Sequence, residues 1–145
     1  MNADNRMDML WDRCNKSLGR EIVSQEMAGW LESNGFFTAP ASTKFHCAYE
    51  GGLFDHSYAV MEKLLEITRL MPLEWEREES PYIVGMFHDL CKIDQYTHNV
   101  GWSPEWEYNK EMALQGHGEK SVMLLSQFMT LTEEEICCIR YHMGI

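Results

Sequence analysis

The segment GMFHDLCKID, residues 85–94, sets a histidine, an aspartate and a lysine into an otherwise apolar run, and its reading decides the fold. As helix, it carries His88 one turn beyond Val84 and Lys92 one turn beyond His88, so both point toward the side that faces the core. Asp89 stands about a hundred degrees further round, close enough in the chain to reach the same point in space. Burying such groups without partners costs several kcal/mol, on the scale of the whole folding free energy. A buried ion pair of Asp89 with Lys92 or His88 would compensate them with no chemistry attached. A shared ligand would compensate them with chemistry.

Working outward, helical periodicity extends over most of the chain, with no repeat, low-complexity tract or linker to divide it, so the 145 residues read as one domain. Ser80 and Pro81 open the helix that carries the His-Asp pair, the serine as N-cap and the proline at the first helical position. Upstream, Leu53 to Met71 reads as a helix with Val60, Leu64, Ile67 and Met71 on its apolar face, stopped by Pro72. Two scaffold helices precede it, one through Met7, Leu10, Trp11, Cys14 and Leu18, the other through Ile22, Val23, Met27, Trp30 and Leu31 to SNGFF at 33–37. Downstream, residues 96–114 lose the helical period and hold Tyr96, Trp102, Trp106 and Tyr108, which suits a short β-hairpin or long loop near 95–115. Aromatic residues in such a hairpin mostly pack. Helix returns near Gly118–Met129 and again from Thr132, where Thr132 and Glu135 in TEEE have capping-box spacing. The expectation is an all-α bundle with one small β excursion.

Composition excludes several functions. Twelve Lys and Arg against 23 Asp and Glu give a formal charge of −11, a field that repels nucleic-acid backbones. A small anionic substrate then needs a local positive charge, from a bound ion or a buried lysine. The five cysteines are odd in number and lack CxxC spacing, which fits a reducing cytoplasm better than a disulfide framework or zinc knuckle. No apolar run approaches the length of a membrane span, and residues 1–10 lack a signal-like core. A cytoplasmic protein without a membrane partner is expected.

Other histidines converge on the first. His56 begins the third helix in line with Val60, Leu64 and Ile67, and His142 closes the last, three residues after Ile139 and four after Cys138. His117 stands at a helix start between Gly116 and Gly118, where other groups can approach closely. One cation bound by neutral imidazoles and an ionised carboxylate would compensate all of these groups together. Histidine plus carboxylate without clustered thiolates suits Mn, Fe, Co, Ni or Zn in an open site. His46 and Lys44 lie in the loop before His56, where a packing role and substrate contact are equally consistent with the sequence.

These residues carry a resemblance. His56 followed by His88-Asp89 and Lys92 in HDxxK spacing, with GGLFDHS at 51–57, GHGEKS at 116–121 and YHMG at 141–144, resembles the HD superfamily of metal-dependent phosphohydrolases over roughly residues 36–145. The resemblance implies a helical HD domain in which His56, His88 and Asp89 bind a divalent metal. In binuclear members Asp89 would bridge to a second ion held by His117 and His142. It implies a water acidified by the metal that attacks phosphorus, Asp89 and Lys92 as the catalytic residues, and Lys92 as the phosphate partner. The substrate class would be a nucleotide or similar small phosphate ester.

One element of the pattern is absent. The superfamily closes its site with a further aspartate, whereas the last aspartate of this chain is Asp94. Three expectations follow: a C-terminally truncated domain, completion of the shell by water or a glutamate from elsewhere, or a degenerate site. Two functional classes share the same ligands: a regulatory HD domain that binds nucleotides without turnover, and a di-iron oxygenase of HD type.

Overall fold

The computed structural model describes residues 2–144. Among them the regular elements are helices α1 (Ala3–Trp11), α2 (Gln25–Ser33), α3 (Gly52–Leu70), α4 (Ser80–Phe87), α5 (Gly118–Leu125) and α6 (Glu133–Arg140), with strands β1 (Tyr96–His98) and β2 (Trp106–Tyr108) between α4 and α5. The expected mostly helical architecture is therefore present, and the β excursion is an antiparallel hairpin pairing Tyr96 with Tyr108 and His98 with Trp106. No helix among the described residues is long and apolar enough to cross a membrane.

Local chemistry sets the helix ends. Asn2 and Ser24 accept hydrogen bonds from Asn5 N–H and Met27 N–H, capping α1 and α2. After α1 the chain widens through Asp12–Lys16, and Ser17 N–H reaches Asp12 O five residues back. Asn15, buried there, accepts from Ile22 and Val23 N–H and donates to Val23 O, which fixes the turn into α2. Past α2, the SNGFF segment delivers Phe36 and Phe37 to the centre of the core, where Phe36 meets Phe54 and Phe87, and Phe37 meets Phe54, with ring centroids 5.6 to 6.0 Å apart.

The long helix α3 lies against α4, and Gly85 sets their separation. A Cβ at Gly85 would fall 2.5 Å from Met61 Cα, so only glycine allows this approach. Close packing here brings the first turns of α3 beside the end of α4. The buried face of α3 is Leu53, Phe54, Ser57 and Met61, while Ile67 and Met71 are exposed. The expected face through Val60, Leu64, Ile67 and Met71 is thus corrected: α3 buries its N-terminal half, and its C-terminal turns project beyond the core. Gly85→Ala should destabilise the fold by about 1–3 kcal/mol, the usual cost of overpacking a tight contact. Urea titration of the two proteins measures it.

The α4 start also differs from expectation. Glu79 precedes the helix as its cap residue, and Ser80 is its first helical residue. The Ser80 hydroxyl is fully engaged elsewhere, donating to Glu135 Oε2 at 2.7 Å. Glu135 is wholly buried and also accepts from Arg77 Nε at 2.8 Å, Arg77 Nη2 at 2.7 Å and Thr132 N–H at 2.9 Å, completing the capping box of α6. One carboxylate thereby fastens α6 to α4. Burial alone would raise its pKa, but the bonds from Arg77, Ser80 and Thr132 outweigh it and hold the group below the ordinary glutamate value. A depressed folded-state pKa contributes stability that is present above the unfolded value of about 4.3 and lost as pH falls through the folded one. Glu135→Gln should therefore be less stable than the parent at neutral pH, with the gap closing below about pH 4.3. Denaturation midpoints at pH 7 and pH 3.5 measure the change.

The segment that carries the His-Asp pair is not continuous helix. α4 ends at Phe87, His88 is its C-cap, and Leu90–Asp94 forms a 3-10 helix in which Lys92 N–H bonds Asp89 O at 2.9 Å. The expected one-turn alignment of His88 with Lys92 is corrected by this break at Asp89. The break turns the Asp89 carboxylate inward, to 4% exposure.

Candidate metal centre

Asp89 is the hub of the site. His56 Nε2 lies 3.2 Å and His88 Nε2 3.3 Å from Asp89 Oδ2, and His142 Nε2 lies 3.0 Å from Oδ1. Lys92 Nζ stands 3.6 Å from Oδ2 and donates to Ala41 O at 2.9 Å. Four elements contribute: the second turn of α3, the end of α4, the 3-10 helix, and the residues after α6. His46, exposed in the loop before α3, places its ring 5.4 Å from that of His56.

The histidine tautomers follow from their second nitrogens. His88 Nδ1 is 2.8 Å from Gly85 O, and His142 Nδ1 is 2.7 Å from Ile139 O. A carbonyl oxygen only accepts, so each Nδ1 must carry its proton. In the neutral rings, Nε2 is then a lone pair aimed at a carboxylate oxygen. Acceptor against acceptor at these distances is stable only when a proton or a cation stands between them. Protonating every ring would crowd three imidazoliums and an ammonium around one carboxylate. One divalent ion resolves the conflict, and the ligand atoms of His56, His88 and Asp89 all lie within 4.8 Å of one another. The donor set, two imidazole nitrogens and a carboxylate oxygen, suits a transition metal. These three residues can therefore hold a metal ion.

Electrostatics agree. Burial alone would raise the Asp89 pKa, but in the absence of a cation hydrogen bonds from the protonated rings of His142, His56 and His88 outweigh it and keep the carboxylate ionised well below the usual range. The same contact with Asp89 raises the pKa of His142. The hub is thus an anion, the form in which a carboxylate binds a metal.

Supports outside this cluster were not evident from the motifs. Ser121, fully buried on α5, accepts from Cys91 N–H at 2.9 Å and donates to His88 O at 3.1 Å, bridging both sides of the break at Asp89. Beside it, Lys120 is buried against Asp94. On the other flank Arg6 grips Asp55, with Nε at 2.9 Å from Oδ1 and Nη2 at 3.1 Å from Oδ2, and Tyr49 donates to Oδ2 at 2.8 Å. Asp55 adjoins His56, so this pair fixes the start of α3. The signal for Arg6 was its place on the Leu10 and Cys14 stripe, four residues ahead of Leu10.

The structure gathers His56, His88, Asp89, Lys92 and His142, and leaves other candidates apart. His117 is exposed at the N-cap of α5, and among the described residues its side chain makes no hydrogen bond or ion pair with Asp89. Lys44 is exposed at the rim of a cleft beside the hairpin. Trp102 is 63% exposed, whereas Trp106 is buried and stacks on His98 with centroids 4.4 Å apart. Comparison with protein-family models, curated proteins and solved structures finds no significant match.

Proposed function

We propose that the chain is a metal-dependent phosphohydrolase of the HD type, acting on a nucleotide or similar small phosphate ester. The observation that supports it is the turning of imidazole lone pairs onto one buried carboxylate with a lysine alongside. A divalent ion held by His56, His88 and Asp89 would supply acidification of a water and charge neutralisation at a phosphoryl oxygen. Asp89 fixes the ligand geometry, because its position is set from both sides of the α4 break. Lys92 uses one of its three N–H donors on Ala41 O, leaving others for phosphoryl oxygens. His142, on the far carboxylate oxygen, holds a proton at Nε2 when no cation takes that lone pair. Since His117 stands apart, the proposal is for one ion, with Mn, Fe, Co, Ni and Zn as the candidates.

The test is reconstitution of the metal-free protein with each of these ions, followed by elemental analysis and a panel of phosphomonoesters and phosphodiesters. One bound ion with ion-dependent release of phosphate or alcohol is the expected result. A protein that retains none of the ions overturns the metal centre. A protein that retains one, binds nucleotides and hydrolyses nothing on the panel overturns the catalytic reading in favour of the regulatory one.

A further inference from the structure

We propose that the cleft beside the β-hairpin binds the remote part of the substrate, and that this part carries a planar ring and a second anionic group. The inference rests on the phosphohydrolase reading and extends it to substrate class. Its first support is a charge ledger. Among the described residues, nine of the twelve lysines and arginines sit in ion pairs with aspartate or glutamate, which leaves Lys44, Arg69 and Lys110. In a chain of formal charge −11, an unpaired cation is uncommon, and two of these three line one cleft of about 600 Å³. Glu107 and Glu111 also line it, but no ion pair joins them to either ammonium within 4.0 Å.

The second support is a platform of rings. Tyr96 and Tyr108 face each other across the hairpin and both line the cleft, so their side chains are neighbours on one face of it. Tyr108 is 53% exposed, open to stacking by a ligand. The platform is held in place: Gln95 Nε2 donates to Tyr96 Oη at 2.9 Å, and Asn109 bonds Gln95 O through its N–H at 2.7 Å and Asp94 O through Nδ2 at 2.8 Å. Those bonds tie the hairpin to the 3-10 helix that carries Lys92.

The third support is continuity with the metal centre. Lys44 is two residues from His46, a separation of at most about 7 Å between Cα atoms, and the His46 ring is 5.4 Å from that of His56. Under this reading one molecule carries both a phosphate at Lys92 and a ring on the tyrosines, with Lys44, His46 and His56 marking the way between them. A second phosphate on that molecule would meet Lys44 and Lys110, while the acidic remainder of the surface opposes a longer phosphate chain. A nucleoside bisphosphate has this form.

Equilibrium binding separates this proposal from catalysis. Metal-free protein is titrated calorimetrically with adenosine 3′,5′-bisphosphate and with adenosine 5′-monophosphate. The bisphosphate is expected to bind about tenfold more tightly, the scale of one charge-assisted contact. Lys44→Ala combined with Lys110→Ala should erase that preference, whereas Arg69→Ala, which removes the third unpaired cation, should keep it. Equal affinity for the two probes, or a preference that survives the double substitution, overturns the proposal. Turnover is measured separately with the metal restored, and its absence would bear on the phosphohydrolase reading alone.

Discussion

Asp89→Asn is expected to remove stoichiometric metal binding, with affinity falling on the order of 10³-fold, the scale of the 3–5 kcal/mol lost when one partner leaves a buried charge cluster. The substitution keeps the shape of the side chain and deletes only its charge. His56, His88, His142 and Lys92 all stand within 3.6 Å of that carboxylate, so no neighbouring anion replaces it. The proposed phosphohydrolase activity should vanish with the metal. Helical circular dichroism should stay close to the parent, because Phe36, Phe54 and Phe87 hold the core and do not depend on the hub. Calorimetric titration with the ion identified by elemental analysis gives the affinity. Unaltered metal content in this variant would remove the centre from Asp89.

Lys92→Ala should separate binding from chemistry. A protonated lysine has no lone pair and cannot ligate a cation, so metal content should remain near that of the parent. Turnover should drop by about 10²-fold or more, the cost of losing one charged contact to the transition state. The loss should fall on kcat more than on KM if the contact tightens as charge develops on phosphorus. Equal loss of metal would instead make Lys92 a structural prop for Asp89 through its contact at 3.6 Å.

The helical character of the fold, its hairpin and the capping box of α6 were legible because each has a local cause. Periodicity, an aromatic segment without period, and the Thr132–Glu135 spacing act within a few residues. The site was legible as an ordered set of histidines around His88-Asp89, and four of its polar members meet at Asp89. What the sequence concealed is long-range or conformational. The break after Phe87 depends on Ser121, thirty residues beyond Cys91, bridging its two sides. The buried face of α3 depends on Gly85 admitting Met61, and apolar spacing alone could not choose between Met61 and Val60. His117 has the expected helix-start position, but a position at a helix start does not orient a side chain. Lys44 and His46 proved exposed, and their bearing on a ligand came from charge pairing and ring contacts rather than from their neighbours in the chain.

The two anchoring bonds, His88 to Gly85 O and His142 to Ile139 O, have a consequence for the order of assembly. Each carbonyl belongs to the last turn of its helix, where four oxygens lack partners along the backbone. At Gly85 O the ring satisfies one of them, and at Ile139 O it adds to the His142 N–H bond at 3.4 Å, so each imidazole caps its helix while presenting its far nitrogen to Asp89. Two helix ends thereby converge on the hub, and each brings a partial negative charge of roughly half an electron from the aligned peptide dipoles. Added to the carboxylate, these favour a cation at the hub over an anion. Under the proposed function the favoured order is ion before substrate: the ion offsets this potential, and the phosphoryl group then binds the hub more tightly than in the metal-free protein.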